Sequence, residues 1–398
     1  MHGEEVSFYS GGCTLAGTFT EAADPVAAAL LIAGSGRSDR NSDARIPVGR
    51  TLRIGVDRTV AEALAGARVS TLRYDKRGVG ASDGDYLRAG MDDRRADARA
   101  ALGWLAARSE GLPLLAVGHS EGAWYAAELA ADRAVAGATL VAAGARPGEQ
   151  ILTWQTEMIT ARLPPLARAI LRITRTDVVR SQRKRLDRVK ASPADVMRIQ
   201  GIRVNARWIR DFLAYDPRPA LARITVPVLA ITGGQDVQVP PEDVKAIGRL
   251  VQGTFDGHVV GDLSHLLRPD PESAGPRGYR RAVRQPVSPE VLALITGWVT
   301  SHWVRRDLTG LSGRGPGNAE TGTRHPCQAA ARRGVNATQV RPESVVWYMA
   351  GDDDPCASAP RAQAKPVRAL TKSKLVPSWV KERPCGTAVQ VRPPSAVM

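Results

Sequence analysis

The pentapeptide Gly118-His119-Ser120-Glu121-Gly122 holds the residue best suited to nucleophilic chemistry. It lies between an apolar run at 114–117 and a helix-like stretch at 123–131. A strand, a sharp turn and a helix therefore follow one another. A turn this tight strains the serine backbone and needs small neighbours, so that strand and helix can approach closely. This context predicts that the Ser120 hydroxyl projects from the carboxyl end of a buried strand as a nucleophile.

A base must take the serine proton, and histidine is the usual base near neutral pH. Among six histidines, His265 is the candidate, because it follows the strand-like run 258–260 and precedes the last predicted helix. In a parallel sheet this position lies on the same edge as Ser120. His258 starts a strand and suits a structural role, and His119 points away from its neighbouring serine.

The base in turn needs a carboxylate that fixes its tautomer and stabilises the imidazolium. Asp236 closes the sequence Gly233-Gly234-Gln235-Asp236, directly after the strand-like run 226–231. Turn glycines followed by an acid are typical of a loop that presents the carboxylate inward. Asp262 is closer to His265 in sequence and is the alternative.

An acyl-transfer site also needs two backbone N–H donors where negative charge develops. We expect one to be the amide of Glu121, the residue after the nucleophile. The second is expected in the loop 33–41 after the early strand, with Ser35 as first choice and Gly36 as second. A plain glycine turn is the alternative interpretation of that loop.

Strand and helix patterns alternate over the first 150 residues. The runs 6–9 and 15–19 flank Ser10-Gly11-Gly12 and predict an antiparallel hairpin. Further strand-like runs occupy 26–32, 68–74, 114–117 and 138–142, with helical patterns at 59–67 and 92–107 between them. This alternation predicts a mostly parallel sheet with helices on both faces.

The alternation of strand and helix patterns stops after residue 150. From 151 to 216 we find no strand pattern, and apolar residues recur at helical spacing, which predicts a helical insertion. Its basic stretch at 180–190 suits a solvated helix face or, alternatively, attraction of an anionic substrate such as an acyl-CoA. Strands resume at 226–231 and 258–260, and an amphipathic helix is expected at 289–304. The predicted units are a core of 1–150 and 219–306, a cap of 151–218 and a low-order basic tail of 307–398.

The segment Tyr74-Asp75-Lys76-Arg77-Gly78-Val79-Gly80-Ala81-Ser82 follows the strand-like run 68–74. Its glycines and cations are also found in phosphate-binding loops. However, the spacing fits neither a Walker lysine nor a G-x-G-x-x-G turn. We therefore expect a fixed structural turn here and no nucleotide site.

Composition narrows the possible partners and compartment. The net charge is +15, but no basic-aromatic module is present, so we expect no nucleic-acid partner. The acidic start, Met1-His2-Gly3-Glu4-Glu5, does not resemble a signal peptide, and no apolar run reaches the length of a membrane span. The four cysteines form no CxxC pair, so neither a disulfide framework nor a metal site is expected. A cytoplasmic protein is the resulting expectation.

Residues 1 to about 306 resemble bacterial α/β-hydrolases of the serine-hydrolase type. The nearest kinds are capped esterases and dienelactone-hydrolase-like or serine-aminopeptidase-like proteins. The motifs that carry the resemblance are Ala33-Gly34-Ser35-Gly36 with Asp39-Arg40-Asn41, the segments 74–82, 118–122 and 233–236, and Ser264-His265. The order Ser120, Asp236, His265 is that of this superfamily's triad. The oxyanion loop of such proteins usually opens with His-Gly, whereas Ala33 replaces that histidine here.

The resemblance implies an α/β-hydrolase fold with a helical cap over the pocket. It also implies cleavage of a carboxylic ester or related acyl bond of a small-molecule substrate through an acyl-Ser120 intermediate. No cofactor is expected for this chemistry. An acyltransferase or thioesterase using the same triad is the alternative, and a non-catalytic binding protein of this fold is a more distant one.

Overall fold

Eight strands form one central sheet in the computed structural model, which describes residues 3–46, 50–271 and 278–304. The sheet strands are β1 (Glu4–Ser10), β2 (Cys13–Thr20), β3 (Ala27–Ile32), β6 (Val69–Tyr74), β7 (Leu114–His119), β8 (Gly137–Val141), β11 (Val228–Gly233) and β12 (Phe255–Val260). Their spatial order is β1-β2-β6-β3-β7-β8-β11-β12. A separate short pair consists of β4 (Ala44–Ile46) and β5 (Arg50–Leu52).

The sheet is mostly parallel, as the sequence predicts. β2 runs antiparallel to both of its neighbours, β1 and β6. Every neighbouring pair from β6 to β12 is parallel. The carboxyl ends of β7, β11 and β12 therefore lie along one edge of the sheet, where the loops that follow them can meet.

Helices cover both faces of the sheet because the central strands are apolar on both sides. The main helices of the core are α1 (Val56–Gly66), α2 (Met91–Arg108), α3 (Glu121–Ala131), α9 (Asp243–Leu250) and α11 (Pro289–Val299), with a short α10 (Tyr279–Ala282). β3 is buried along its whole length. Its residues alternate in direction, so Leu31 packs with α1 and α11 while Leu30 packs with α2 and α3.

The insertion between β8 and β11 is mainly helical but also contains a hairpin. Its elements are α4 (Gly148–Ala161), α5 (Pro165–Ile173), α6 (Val178–Ala191), β9 (Val196–Ile199), β10 (Ile202–Asn205), α7 (Ala206–Ala214) and α8 (Arg218–Leu221). The expectation of no strand between 151 and 216 was therefore wrong. β9 and β10 are four residues each and pair only with each other, through a turn at Gln200 and Gly201, both with positive φ.

The last described element matches the helix predicted at 289–304. α11 ends at Val299, and a π-helical turn, Thr300–Val304, continues it. The predicted tail of 307–398 lies outside the described residues, and the three predicted boundaries between the units stay predictions. Within the described ranges, no helix is both long enough and apolar enough to cross a lipid bilayer.

Candidate active site

Ser120 occupies the turn between β7 and α3 in a strained backbone conformation. β7 ends at His119 and α3 begins at Glu121, so Ser120 alone joins strand to helix. Its φ of 57° and ψ of −120° lie outside the regions that L-residues ordinarily adopt. Strain of this kind persists only where the surrounding structure enforces it, and it accumulates at functional sites.

The two glycines of the pentapeptide enforce this turn by allowing close backbone approach. A Cβ on Gly118 would lie 2.2 Å from the carbonyl oxygen of Gly122. A Cβ on Gly122 would lie 2.0 Å from the carbonyl oxygen of Ile32 at the end of β3. No side chain fits at either distance, so the elbow requires glycine at both positions.

His265 and Asp236 form a buried hydrogen-bonded pair. The distance from His265 Nδ1 to Asp236 Oδ2 is 2.7 Å, and the two residues are 3% and 1% exposed. Asp236 Oδ1 accepts hydrogen bonds from the amides of Gln238 and Val239, at 2.7 and 3.0 Å. These amides hold the carboxylate in place behind the imidazole. Asp262, the alternative, is exposed, and the carboxylate that His265 contacts is that of Asp236.

Ser120 and His265 line the same cavity at the carboxyl edge of the sheet, together with Ser35 and His119. Among the described residues, Ser120 Oγ has no hydrogen bond to His265. Contacts between a nucleophile and its base often become short only when substrate binds. The structure thus brings the three predicted residues to one place and pairs two of them directly.

His119 supports the loop that carries His265, a role that the sequence did not indicate. Its Nε2–H donates to the carbonyl oxygen of His265 at 2.9 Å, and the two rings lie 4.9 Å apart. Burial, reinforced by the neighbouring His265, lowers the pKa of His119 to about 3. The ring therefore stays neutral at working pH and acts as a hydrogen-bond donor to the base's own backbone.

The two residues predicted to supply the oxyanion donors lie beside Ser120. Ser35 and Glu121 line a second cavity with Ser120. Glu121 is the first residue of α3, so its N–H has no acceptor within the helix. Gly36 has a φ of 88°, which suits it to the turn that follows Ser35.

Lys76 anchors the loop 33–41, in which the second oxyanion donor is expected. Its Nζ donates to the carbonyl oxygen of Gly34 at 2.7 Å and to Ser38 Oγ at 2.9 Å. The side chain is buried, and this burial lowers the pKa of Lys76 to about 8. This contact could not be predicted from the sequence, because nothing in the spacing of residues 33–41 and 74–82 indicates that the two loops touch.

The segment 74–82 is a fixed structural turn, as the sequence predicts. Asp75 accepts hydrogen bonds from the Arg40 amide at 2.7 Å, the Arg40 guanidinium at 2.8 Å and the Ala81 amide at 2.9 Å. Gly80 has a φ of 57°, and a Cβ there would lie 2.2 Å from Asp75 Oδ2. Asp75 and Lys76 thus tie this turn to the oxyanion loop at two adjacent points.

The wall of the second cavity is part polar and part apolar, and the insertion supplies some of it. Apolar side chains come from Trp124, Ile151, Phe212 and Val239, with Gln155 and Gln238 as polar groups. Ile151 and Gln155 lie on α4 and Phe212 on α7, so the insertion lines this pocket from one side. The lining suits an uncharged group with a few hydrogen-bonding atoms.

The carboxylate of Glu121 accepts hydrogen bonds from three other side chains. Its Oε2 accepts from Arg94 at 2.8 Å, and its Oε1 accepts from Tyr125 at 2.6 Å and from Trp208 at 2.7 Å. The Arg94–Glu121 pair is buried, with side chains 4% and 2% exposed. Glu121 can therefore offer its amide to the cavity while its side chain belongs to the core.

Comparisons with known proteins agree with this architecture. The sequence model of the serine aminopeptidase S33 family matches residues 49–271. Esterase EstD of Thermotoga maritima is 24% identical over 285 residues, which are 71% of this chain but only 64% of that esterase's length. The α/β-hydrolase GrgF from Penicillium sp. sh18 aligns with 76% of this chain and 100% of its own, at 16% identity and a TM-score of 0.50.

A second solved structure, of DcsB in complex with its substrate analogue, also covers 76% of this chain and 99% of its own, again at 16% identity and a TM-score of 0.50. At such identities these structures establish the fold alone, and they confirm the predicted α/β-hydrolase fold. The family model covers more than half of the sequence. The chain therefore belongs to the serine aminopeptidase S33 family of α/β-hydrolases.

Proposed function

We propose that this protein is a serine hydrolase that cleaves a carboxylic ester through an acyl-Ser120 intermediate. The observation that carries the proposal is the 2.7 Å Asp236–His265 hydrogen bond beside a serine in a strained strand-to-helix turn. Membership in a hydrolase family and similarity to an esterase support the same class of reaction.

In the acylation step, His265 takes the proton of Ser120 while Ser120 Oγ attacks the ester carbonyl carbon. Asp236 accepts the Nδ1–H of His265 and stabilises the imidazolium that forms. The tetrahedral intermediate collapses, the C–O bond to the alcohol breaks, and His265 returns the proton to the leaving alkoxide. Water then attacks the acyl-serine with His265 again as base, which releases the carboxylic acid and restores Ser120.

The amides of Ser35 and Glu121 are the proposed donors to the oxyanion. The Gly34 carbonyl and the Ser35 N–H belong to one planar peptide unit. A hydrogen bond from Lys76 to that carbonyl therefore fixes the plane of the unit and the direction of the N–H. It also polarises the peptide, which strengthens the N–H as a donor. We propose that Lys76 is a positioning residue for this loop, which here opens with Ala33 in place of histidine.

The lining of the two cavities favours an ester with a neutral acyl group over a peptide amino terminus. Binding an ammonium group calls for a carboxylate that faces the substrate. Glu121 is the one acidic residue among the described residues that line these cavities, and its carboxylate is paired with Arg94. The apolar wall around Trp124 and Phe212 fits an alkyl or aryl acyl group.

The proposal is tested by labelling the full chain with a fluorophosphonate probe and identifying the modified peptide by mass spectrometry. We expect a single covalent adduct on Ser120, because only an activated serine attacks phosphorus at a useful rate. Absence of labelling, or an adduct on another serine, contradicts the proposed mechanism. Parallel assays on p-nitrophenyl esters and aminoacyl-p-nitroanilides separate ester from aminopeptide cleavage.

Replacing Lys76 by methionine, which keeps the volume and removes the donors, is expected to lower kcat by about 10- to 100-fold with little change in KM. In the wild type, kcat also falls as the pH rises through about 8, because Lys76 then loses its charge. The variant should lack this alkaline decrease. The measurement is a kcat profile from pH 6 to 10, and Lys245→Met, at an exposed lysine on α9, is the control. A variant that retains the wild-type profile contradicts the positioning role.

A further inference from the structure

The helix α5 presents an apolar ridge to solvent. Leu166, Ile170 and Ile173 follow one another at intervals of four and three residues, so they share one face of the helix. Their side chains are 72%, 51% and 81% exposed, and α5 contains no buried residue. Three large aliphatic side chains clustered in this way form a patch that marks an interaction surface.

A dense positive charge surrounds this ridge. Residues 162–190 contain ten lysines and arginines but only two aspartates. The exposed basic residues on α5, on α6 and in the turn between them are Arg168, Arg172, Arg175, Arg180, Arg183, Lys184, Arg188 and Lys190. Arg168 and Arg172 lie on the opposite face of α5 from the ridge. The helix is therefore amphipathic, with an aliphatic side and a cationic side.

Three candidate occupants fit this surface poorly. A nucleic acid would match the charge, but residues 162–191 contain no aromatic side chain for base stacking, and an aliphatic ridge gains nothing on a phosphate backbone. A second copy docked by two-fold symmetry would bring two cationic surfaces together. The segment 307–398 carries 13 basic and 7 acidic residues, so its net charge has the same sign as that of the patch.

We propose that α5 and the start of α6 dock onto an anionic lipid surface. An in-plane helix with aliphatic residues on one side and cations on the other buries its apolar face at the level of the headgroups. Anionic headgroups then satisfy the charge that a neutral bilayer leaves unpaired.

The docking helix belongs to the same insertion that lines the cavity beside Ser120. α4 lines the substrate cavity through Ile151 and Gln155, and α5 begins four residues after α4 ends. The docking proposal does not depend on the proposed esterase activity, because it rests on the outer surface of the insertion. Lipid binding and ester hydrolysis can therefore fail or succeed separately.

The test is co-sedimentation of the full chain with phosphatidylcholine vesicles that contain or lack phosphatidylglycerol. We expect binding to the anionic vesicles that weakens with salt, and little binding to the neutral ones. The triple variant Leu166→Ser, Ile170→Ser, Ile173→Ser should bind the anionic vesicles at least about tenfold more weakly. The matched control is Tyr9→Ser with Val259→Ser, which removes exposed apolar side chains from the sheet edges.

Three results overturn the proposal. The first is absence of wild-type binding to anionic vesicles. The second is binding that the triple variant retains in full, which assigns the attraction to charge elsewhere in the chain. The third is salt-sensitive binding to single-stranded DNA in preference to vesicles, lost in Arg168→Gln with Arg172→Gln. Circular dichroism verifies that each variant is folded.

Discussion

Replacing Ser120 by alanine is expected to lower kcat for a soluble p-nitrophenyl ester by about 10⁶-fold, to the level supported by binding and the oxyanion donors alone. Without Oγ there is no acyl-enzyme, and water must attack the ester directly from a site shaped for the serine. The alanine backbone can still adopt the strained turn, because Gly118 and Gly122 provide the space for it. We therefore expect a folded protein with an unchanged melting temperature.

The informative control is Ser35→Ala. Ser35 lies in the same cavities as Ser120, but its proposed contribution is the backbone N–H, which alanine retains. Its kcat should stay within about tenfold of the wild type, since one donor removed outright costs about 10²–10³. The measurement is the steady-state kcat of the wild type, of Ser120→Ala and of Ser35→Ala. Full turnover by Ser120→Ala, or near-complete loss in Ser35→Ala, contradicts the assignment.

Replacing Asp236 by asparagine is expected to lower kcat by about 10⁴-fold. The amide nitrogen turned toward His265 Nδ1 would be a donor, which stabilises the imidazole tautomer that cannot take the serine proton. The amides of Gln238 and Val239 fix the orientation, because they already bind the other carboxylate oxygen, which becomes the amide oxygen. The imidazolium formed in acylation also loses its counter-charge.

Asp262→Asn is the matched control, because this aspartate is the nearer one to His265 in sequence but is exposed. It should keep the wild-type kcat. If the large loss instead follows Asp262→Asn, the acid of the triad is wrongly assigned. Thermal unfolding of both variants distinguishes lost chemistry from lost structure.

The sequence predicted the fold and the candidate triad because both depend on local patterns. Buried parallel strands are recognisable in the sequence as apolar runs. The carboxyl ends of such strands lie at one edge of the sheet. Asp236 and His265 could therefore be placed near Ser120 without any knowledge of their contacts. The glycines at 118 and 122 indicated the tight turn for the same reason.

Other features depend on contacts between distant segments and could not be predicted. Lys76 reaches Gly34 across 42 positions of sequence, and His119 reaches the His265 carbonyl across 146. The hairpin β9–β10 is too short for its alternation to exceed chance. The helical spacing of Leu166, Ile170 and Ile173 was visible, but whether that face is covered is decided by packing alone.

The contacts of Glu121 limit which insertions from other family members could replace the insertion of this protein. The residue contributes a backbone amide to the proposed reaction site, and its carboxylate holds the indole N–H of Trp208 on α7. A transplanted insertion without an equivalent indole would leave the buried carboxylate one donor short, next to the attacking serine. We therefore expect a chimaera to be active only if Arg94, Tyr125 and Trp208 are all present together. The insertion is thus less interchangeable than its position between β8 and β11 suggests.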